Sequence, residues 1–202
     1  MATSSTEICN FALLHLGQTK RIANLTTEQS KEAQIFRSFY ETVRDLVLRD
    51  HIWPFATKIS ALALVQEDPN DEWSYSYRYP SDALMIRRVL SGVRNDARNT
   101  RTPYKISKDA QGLLLLCDLE EAQIEYTEMV TDVSFFPDDF VMALSYRLAY
   151  YAAPSITNGD PFQMQGRMMQ MYQGEMSRAT ANGFNEEQPD ELPESEFIRF
   201  RE

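Results

Sequence analysis

The sequence is poor in the residue types and motifs that most often carry catalysis or bind metals. Histidine and cysteine occur only as His15, His51, Cys9 and Cys117, without the spacing of a metal site or a redox pair. The chain has no Gly-rich phosphate loop, no G-x-S-x-G elbow and no H-E-x-x-H motif. We therefore expect no enzyme activity, no cofactor and no metal, and we interpret both histidines as packing or helix-end residues.

Long apolar runs are also missing. The longest, residues 148–153, is far shorter than the roughly 20 residues that a membrane helix needs. Residues 1–7 lack the basic start and the apolar middle of a secretory signal, and the isolated thiols suit a reducing compartment. We expect a protein that is assembled in the cytoplasm and does not contact a membrane.

The 202 residues are 43% apolar and 11% aromatic, which is enough for a packed core in a single domain. The net charge of −10 argues against general nucleic-acid binding, because proteins that coat nucleic acid neutralise its phosphates with a basic surface. The charge is also distributed unevenly along the chain, and this unevenness favours ordered contacts with other protein surfaces.

Basic residues are concentrated in residues 87–108, which contain seven of them and one acid. Within this stretch the polar loop 92–103 presents Arg94, Arg98 and Arg101. These arginines are either solvated or contact an acidic partner surface or passing DNA.

Acidic residues are concentrated in residues 184–202, which carry a net charge of −5. This segment also contains an apolar cluster, Phe197, Ile198 and Phe200, which a purely solvating tail would not need. We therefore expect it to be an extended arm that docks onto a partner protein.

Helical periodicity occurs in four segments. Capping boxes at residues 4–7 and 26–29 open the first two, while Asp138-Asp139 and Asp160-Pro161 start the last two. The third segment is apolar nearly all round, which is typical of a buried helix. The predicted helices span residues 4–16, 27–50, 138–153 and 161–182.

Between the second and third helices the period changes to strict alternation. Residues 73–79 place four aromatic side chains on one face of a strand, and residues 109–112 have the composition of a hairpin turn. The pattern predicts an α+β fold: a four-helix bundle with a small antiparallel β insertion, residues 56–131, and an extended C-terminal tail. Residues 1–183 then form a single domain.

The fourth predicted helix carries Met164, Met168 and Met171 at helical spacing. Methionine adapts its shape to irregular cores and to binding surfaces alike. These residues are therefore either part of the core or a candidate subunit interface.

Four acids near the end of the β insertion, Glu120, Glu121, Glu125 and Glu128, are the alternative candidates for chemistry. On an alternating strand Glu121 and Glu125 share a face, where they could act as general acid and base or bind Mg²⁺. The more ordinary interpretation is a solvated strand face.

The opening stretch has a recognisable pattern. Residues 10–17 read N-F-A-L-L-H-L-G, residues 39–49 read F-Y-E-T-V-R-D-L-V-L-R, and residues 51–56 read H-I-W-P-F-A. Together they resemble the tail tubular protein A family, the head-to-tail adaptors of short-tailed bacteriophages. The resemblance covers the chain up to Ala56, and the later layout of a β insertion, two helices and a tail agrees in outline.

The resemblance implies a structural virion protein that forms a ring, typically of twelve copies, between the portal and the tail nozzle at the head–tail junction. DNA passes through the ring only in transit. By the same resemblance, Phe197, Ile198 and Phe200 are the candidate portal-docking residues, and Arg94, Arg98 and Arg101 are the candidate contacts with the nozzle or channel.

Two other functions stay open. A small metal-dependent hydrolase or nuclease would use the acids from Glu120 to Glu128, and its Mg²⁺-dependent activity would disappear when Glu121 and Glu125 are replaced. A monomeric phage regulator would bind a host protein through the acidic arm and would never enter particles.

Overall fold

The computed structural model describes residues 4–92, 101–159 and 163–186, the last three without their side chains. The helices in these residues, α1 to α4, span Ser5–His15, Lys31–Asp50, Asp138–Ile156 and Met164–Glu186. The strands, β1 to β7, span Thr57–Ala61, Leu64–Asn70, Trp73–Arg78, Ala83–Leu90, Lys105–Asp109, Gly112–Cys117 and Gln123–Glu128. No helix in the described segments is long and apolar enough to cross a membrane.

The chain divides into two compact units. The first, called the helical unit, contains residues 4–56 and 129–186 with all four helices. The second, called the β unit, contains Thr57–Glu128 with the seven strands. Each unit has its own buried side chains.

Local side-chain bonds define how the helical unit begins. Ser4 caps α1 by accepting a hydrogen bond from the Glu7 amide, and Gly17, with a φ of +72°, ends the helix in a conformation that favours glycine. Asn10 then ties α1 to the following linker, because its side-chain amide exchanges two hydrogen bonds, of 2.8 and 2.9 Å, with the backbone of Ile22.

Helix α3 lies at the centre of the helical unit and contacts α1, α2 and α4. Ten of its residues are buried, as expected for a helix that is apolar on nearly every side. Its N-terminal turn meets the segment after α2, where Trp53 and Phe55 pack edge-on against Phe140, each with ring centroids 5.1 Å apart. The indole N–H of Trp53 donates to the Val47 carbonyl at 2.9 Å and so satisfies one of the free carbonyls at the end of α2.

Two antiparallel sheets form the β unit. One has the strand order β1-β7-β4 and the other β2-β3-β6-β5. Both sheets contribute to one shared hydrophobic cluster. The second sheet contributes the face with Tyr77 and Leu115, and the first contributes the face with Ile124 and Tyr126. This cluster consists of Tyr77, Ile86, Val89, Leu115, Cys117, Ala122, Ile124 and Tyr126, all less than 5% exposed.

The predicted fold class is wrong. The described chain is not a four-helix bundle with a small β insertion, because its seven strands form two sheets with a hydrophobic core of their own. The physical reason lies in the inward faces of the strands: each sheet alone would leave an apolar face in water, and the two faces cover each other.

Several element boundaries differ from the predicted ones. The β insertion does not form a single small sheet, because its first two strands, β1 and β2, already lie in different sheets. Helix α2 starts only at Lys31, capped by Ser30, and α3 continues through Pro154 to Ile156. The hairpin turn at residues 109–112 is confirmed, since Asp109 accepts hydrogen bonds from the amides of Gln111 and Gly112.

Candidate interaction surfaces

Arg147 is the most unusual charged residue of the helical unit. Its guanidinium carbon lies 5.5 Å from the ring centroids of Tyr150 and Tyr151 and 5.0 Å from that of Tyr172. A terminal nitrogen contacts the Met169 sulfur at 3.1 Å, while its Nε atom is buried without a hydrogen-bond partner. Within the described segments this cation forms no salt bridge, and its neighbours are aromatic rings rather than carboxylates.

The tyrosine beneath Arg147 is anchored from the other side. The hydroxyl of Tyr172 donates to the carboxylate of Asp50 at 2.6 Å and thereby links α4 to the end of α2. Burial, and then the hydrogen bond to the carboxylate, raise the pKa of the Tyr172 phenol far above its ordinary value. The phenol therefore stays protonated, and the ring is held as a fixed support for the guanidinium.

The three methionines of the candidate subunit interface occupy different environments. Met168 is buried at 4% exposure inside the helical unit, Met164 is half-buried, and Met171 is 42% exposed. Tyr151 on α3 is similarly exposed, at 39%. We call Arg147, Tyr150 and Tyr151 the arginine–tyrosine surface.

His15 and His51 both contact neighbouring aromatic rings. The His15 ring stacks on Tyr146 at 4.1 Å, and its Nε2 atom shares a 3.0 Å hydrogen bond with the Ser145 hydroxyl. Burial lowers the pKa of His15 below its ordinary value. His51 follows α2 directly and lies edge-on to Trp53 at 4.9 Å.

A groove of about 440 Å³ lies beside His51 at the end of α4. Its lining residues come from the segment after α2, from the start of α3 and from the last turns of α4. They are His51, Trp53, Pro54, Phe55, Pro137, Asp139, Ala179, Asn182 and Gly183.

Among the described residues of the β unit, several basic side chains are paired with partners inside the unit. Arg88 pairs with Glu125, Lys105 pairs with Glu72 at 3.2 Å, and Arg87 donates to the Thr127 hydroxyl at 2.8 Å. Arg101 is exposed. Arg94 and Arg98, which were predicted with it as nozzle or channel contacts, lie outside the described residues.

Lys58 lies at the centre of a polar cluster in the β unit. Its ammonium group donates to Asp82 and to Glu128, both at 2.8 Å, and the Tyr126 hydroxyl donates to the same Asp82 carboxylate at 3.0 Å. The hydrogen bond from Lys58 lowers the pKa of Asp82, and the two carboxylates raise the pKa of Lys58. The group joins β1, β7 and the turn before β4 by charge pairing.

The four acids considered for catalysis are dispersed. Glu125 and Glu128 are used in the ion pairs with Arg88 and Lys58, and Glu121 lies in an exposed turn before β7 rather than on the strand. The expectation that Glu121 and Glu125 share a strand face is therefore wrong. No group of three or more metal-binding side chains occurs in the part of the chain that the structure describes.

Three of the four aromatics of residues 73–79 face the interior of the β unit. Tyr77 is buried in the shared cluster, and Tyr75 and Tyr79 pack against it. Phe197, Ile198 and Phe200, the candidate portal-docking residues, lie outside the described residues.

Sequence reasoning missed Arg147. A usable signal was present, because Arg147 is the one charged residue in the apolar stretch from Phe140 to Ile156. Comparison with protein-family models gives no match for this chain, and comparison with curated proteins gives none either. The chain's own residues are therefore the basis for assigning a function.

Proposed function

We propose that this chain is the head-to-tail adaptor of a short-tailed bacteriophage, a non-enzymatic virion protein. About twelve copies would form a ring between the portal and the tail nozzle, as the resemblance of residues 8–56 implies. The acidic balance of the chain suits this role, because a channel surface without a continuous basic patch does not retain the phosphates of passing DNA.

The arginine–tyrosine surface is the structural observation that supports a contact between copies of the chain. Tyrosine, arginine and methionine are enriched at the centres of protein interfaces, and a few such residues usually supply most of the binding energy. Here the guanidinium of Arg147 is already held against tyrosine rings, so little side-chain entropy is lost when a partner covers it. The neighbouring Tyr151, which is 39% exposed, leaves apolar area for the same partner.

Ring closure requires that this surface meets a different surface of the next copy. The hairpin end of the β unit has the complementary charge. Glu67, Asp68 and Glu120 lie close enough to Tyr75 that their charges raise the pKa of its phenol, with Glu120 the largest contribution. We propose that an acidic surface of this kind in one copy faces Arg147 of the next.

The test is native mass spectrometry of the full chain, alone and with the portal protein encoded in the same genome. The adaptor function requires a complex with many copies of the chain when the portal is present. Arg147→Met, which keeps the apolar stem and removes the charge, should reduce the number of bound copies. Arg21→Met, at an exposed linker residue, is the matched control and should bind as the unchanged chain does.

A chain that stays monomeric with the portal, and that is missing from purified particles, would contradict the adaptor function. A complete ring formed by Arg147→Met would contradict only the assignment of the arginine–tyrosine surface as the subunit contact. Circular dichroism of both variants checks that the fold is retained.

A further inference from the structure

The groove at the end of α4 has a preformed aromatic floor. Trp53 is only 2% exposed and is fixed by its hydrogen bond to Val47 and by its edge-on contact with Phe140. Phe55 also packs on Phe140 and completes the floor. At about 440 Å³ the groove falls within the range of roughly 300–1,000 Å³ that is typical of ligand pockets. A ligand with aromatic side chains would bind there with little rearrangement of the protein.

The rim of this groove carries one acid, Asp139. Asp139 lies in the first turn of α3, and one of its carboxylate oxygens accepts a hydrogen bond from the adjacent Phe140 amide at 2.8 Å. Asp138 precedes it in the same turn. No lysine or arginine of the described segments forms a salt bridge with Asp139. The groove therefore favours a ligand that combines aromatic side chains with positive charge.

The chain itself contains such a segment. Residues 197–201 read Phe-Ile-Arg-Phe-Arg, so the apolar residues of the arm alternate with Arg199 and Arg201 although the arm as a whole is acidic. We propose that this tip binds in the groove of its own chain, with phenylalanine on the aromatic floor and arginine at the Asp139 rim. The groove is then an intramolecular docking site for the arm, and the docking does not depend on ring formation.

The connection to the groove favours the chain's own tip over that of a second copy. Gly183 lines the groove, α4 ends three residues later at Glu186, and ten residues, 187–196, separate the end of the helix from the tip. Fully extended, these ten residues span at most roughly 35 Å, which is enough for a return to a site beside the end of α4. A short tether of this kind gives an effective concentration in the order of millimolar, far above that of a second copy in dilute solution.

The experiment places a photo-crosslinking phenylalanine analogue at Phe200 of the full chain, at submicromolar concentration. We expect cross-links to peptides that contain residues 51–55 or 179–183, in a product with the mass of one chain. The same analogue at Leu192, an apolar residue earlier in the arm, is the matched control and should give a much lower yield at these peptides.

A second variant tests whether the charge of Asp139 contributes to docking of the arm. Asp139→Asn should lower the cross-link yield by roughly 2- to 5-fold, which corresponds to the loss of one exposed ion pair, and added salt should have a similar effect. Glu41→Gln, an exposed acid of α2 that does not line the groove, should leave the yield unchanged.

Cross-links from position 200 that avoid the groove peptides would overturn the docking site. Groove cross-links found only in a product of two chains would also overturn it, because the occupant would then be the arm of a second copy. Both outcomes are independent of the ring proposal, which is tested by copy number in the presence of the portal.

Discussion

The two tryptophans allow a paired test of how the units are stabilised. Trp53 belongs to the helical unit, and its indole N–H donates to the Val47 carbonyl at 2.9 Å. Trp73 begins β3 in the β unit, and its indole nitrogen is buried without a hydrogen-bond partner in the described structure. The same substitution, tryptophan to phenylalanine, therefore removes a satisfied donor in one unit and an unsatisfied donor in the other.

The expected magnitudes differ accordingly. Trp53→Phe leaves the Val47 carbonyl without its partner, which costs about 1–3 kcal/mol, and opens a small cavity beside Phe140. We expect a loss of about 2–4 kcal/mol in the free energy of unfolding. Trp73→Phe loses some apolar contact but also removes a desolvated N–H group, so its effect should be within about 1 kcal/mol in either direction.

Urea unfolding followed by circular dichroism measures both effects, and the tryptophan that remains in each variant reports on the unit that was not changed. Because the chain has only two tryptophans, each variant keeps a single indole, and its fluorescence reports on one unit: Trp73 on the β unit and Trp53 on the helical unit. Circular dichroism adds the helical signal. Trp53→Phe should shift the helical transition down by about 1–2 M urea. A Trp73→Phe variant that loses as much stability as Trp53→Phe would refute the reasoning.

Two further predictions concern protonation. Burial lowers the pKa of His15 in the folded chain, so the unfolded chain binds a proton at this histidine more readily. The contribution of the neutral His15 to the free energy of unfolding should therefore be lost as the pH falls from the ordinary pKa of about 6.5 through the lowered pKa of the folded chain. Urea midpoints should therefore fall over this range in the unchanged chain and fall less in His15→Gln; equal slopes would contradict the assignment. Hydrogen bonds, first from Arg78 and then from the turn amides, lower the pKa of Asp109 to about 2. Carboxyl resonances in nuclear magnetic resonance should show this value, and Arg78→Met should raise it towards about 3.9, whereas an unchanged value would exclude the guanidinium as the main cause.

Helix existence could be predicted from the sequence, whereas helix starts were less certain. The residues around the start of α2 show why. Asn24 accepts hydrogen bonds from the amides of Thr26 and Thr27, and Glu28 reaches back to the Ala23 amide. These local bonds hold the segment in turns, so the helix begins only after Ser30. Thr26 and Ser30 both have cap-forming side chains, and sequence alone does not decide between them.

The relationship between the two sheets could not be predicted from alternation. Alternation identifies which side chains of a strand share a face, as it did for Tyr75, Tyr77 and Tyr79. It does not tell what covers that face. The partner of Tyr77 in the core is the face of β7 and β4, and this pairing depends on long-range packing. For that reason a self-contained β unit was mistaken for a small insertion.

The candidate surfaces show a similar limit. Charge counts identified the basic stretch but not its internal pairing, because the partners of Arg88 and Lys105, Glu125 and Glu72, are distant in sequence. The sequence shows that Arg147 is charged, but its contacts with the rings of Tyr150, Tyr151 and Tyr172 are visible only in the structure.

The central position of α3 has a consequence during synthesis on the ribosome. Helices α1 and α2 both pack against α3, yet the whole β unit is translated after α2 and before α3. At about 5–20 residues per second, the delay between the end of α2 and the end of α3 is roughly 5–20 s. During this interval the apolar faces of α1 and α2 that pack on α3 are not yet covered by it, while Thr57–Glu128 can already fold. Chaperones that hold exposed apolar segments would therefore meet this chain at its beginning, before the later helices emerge.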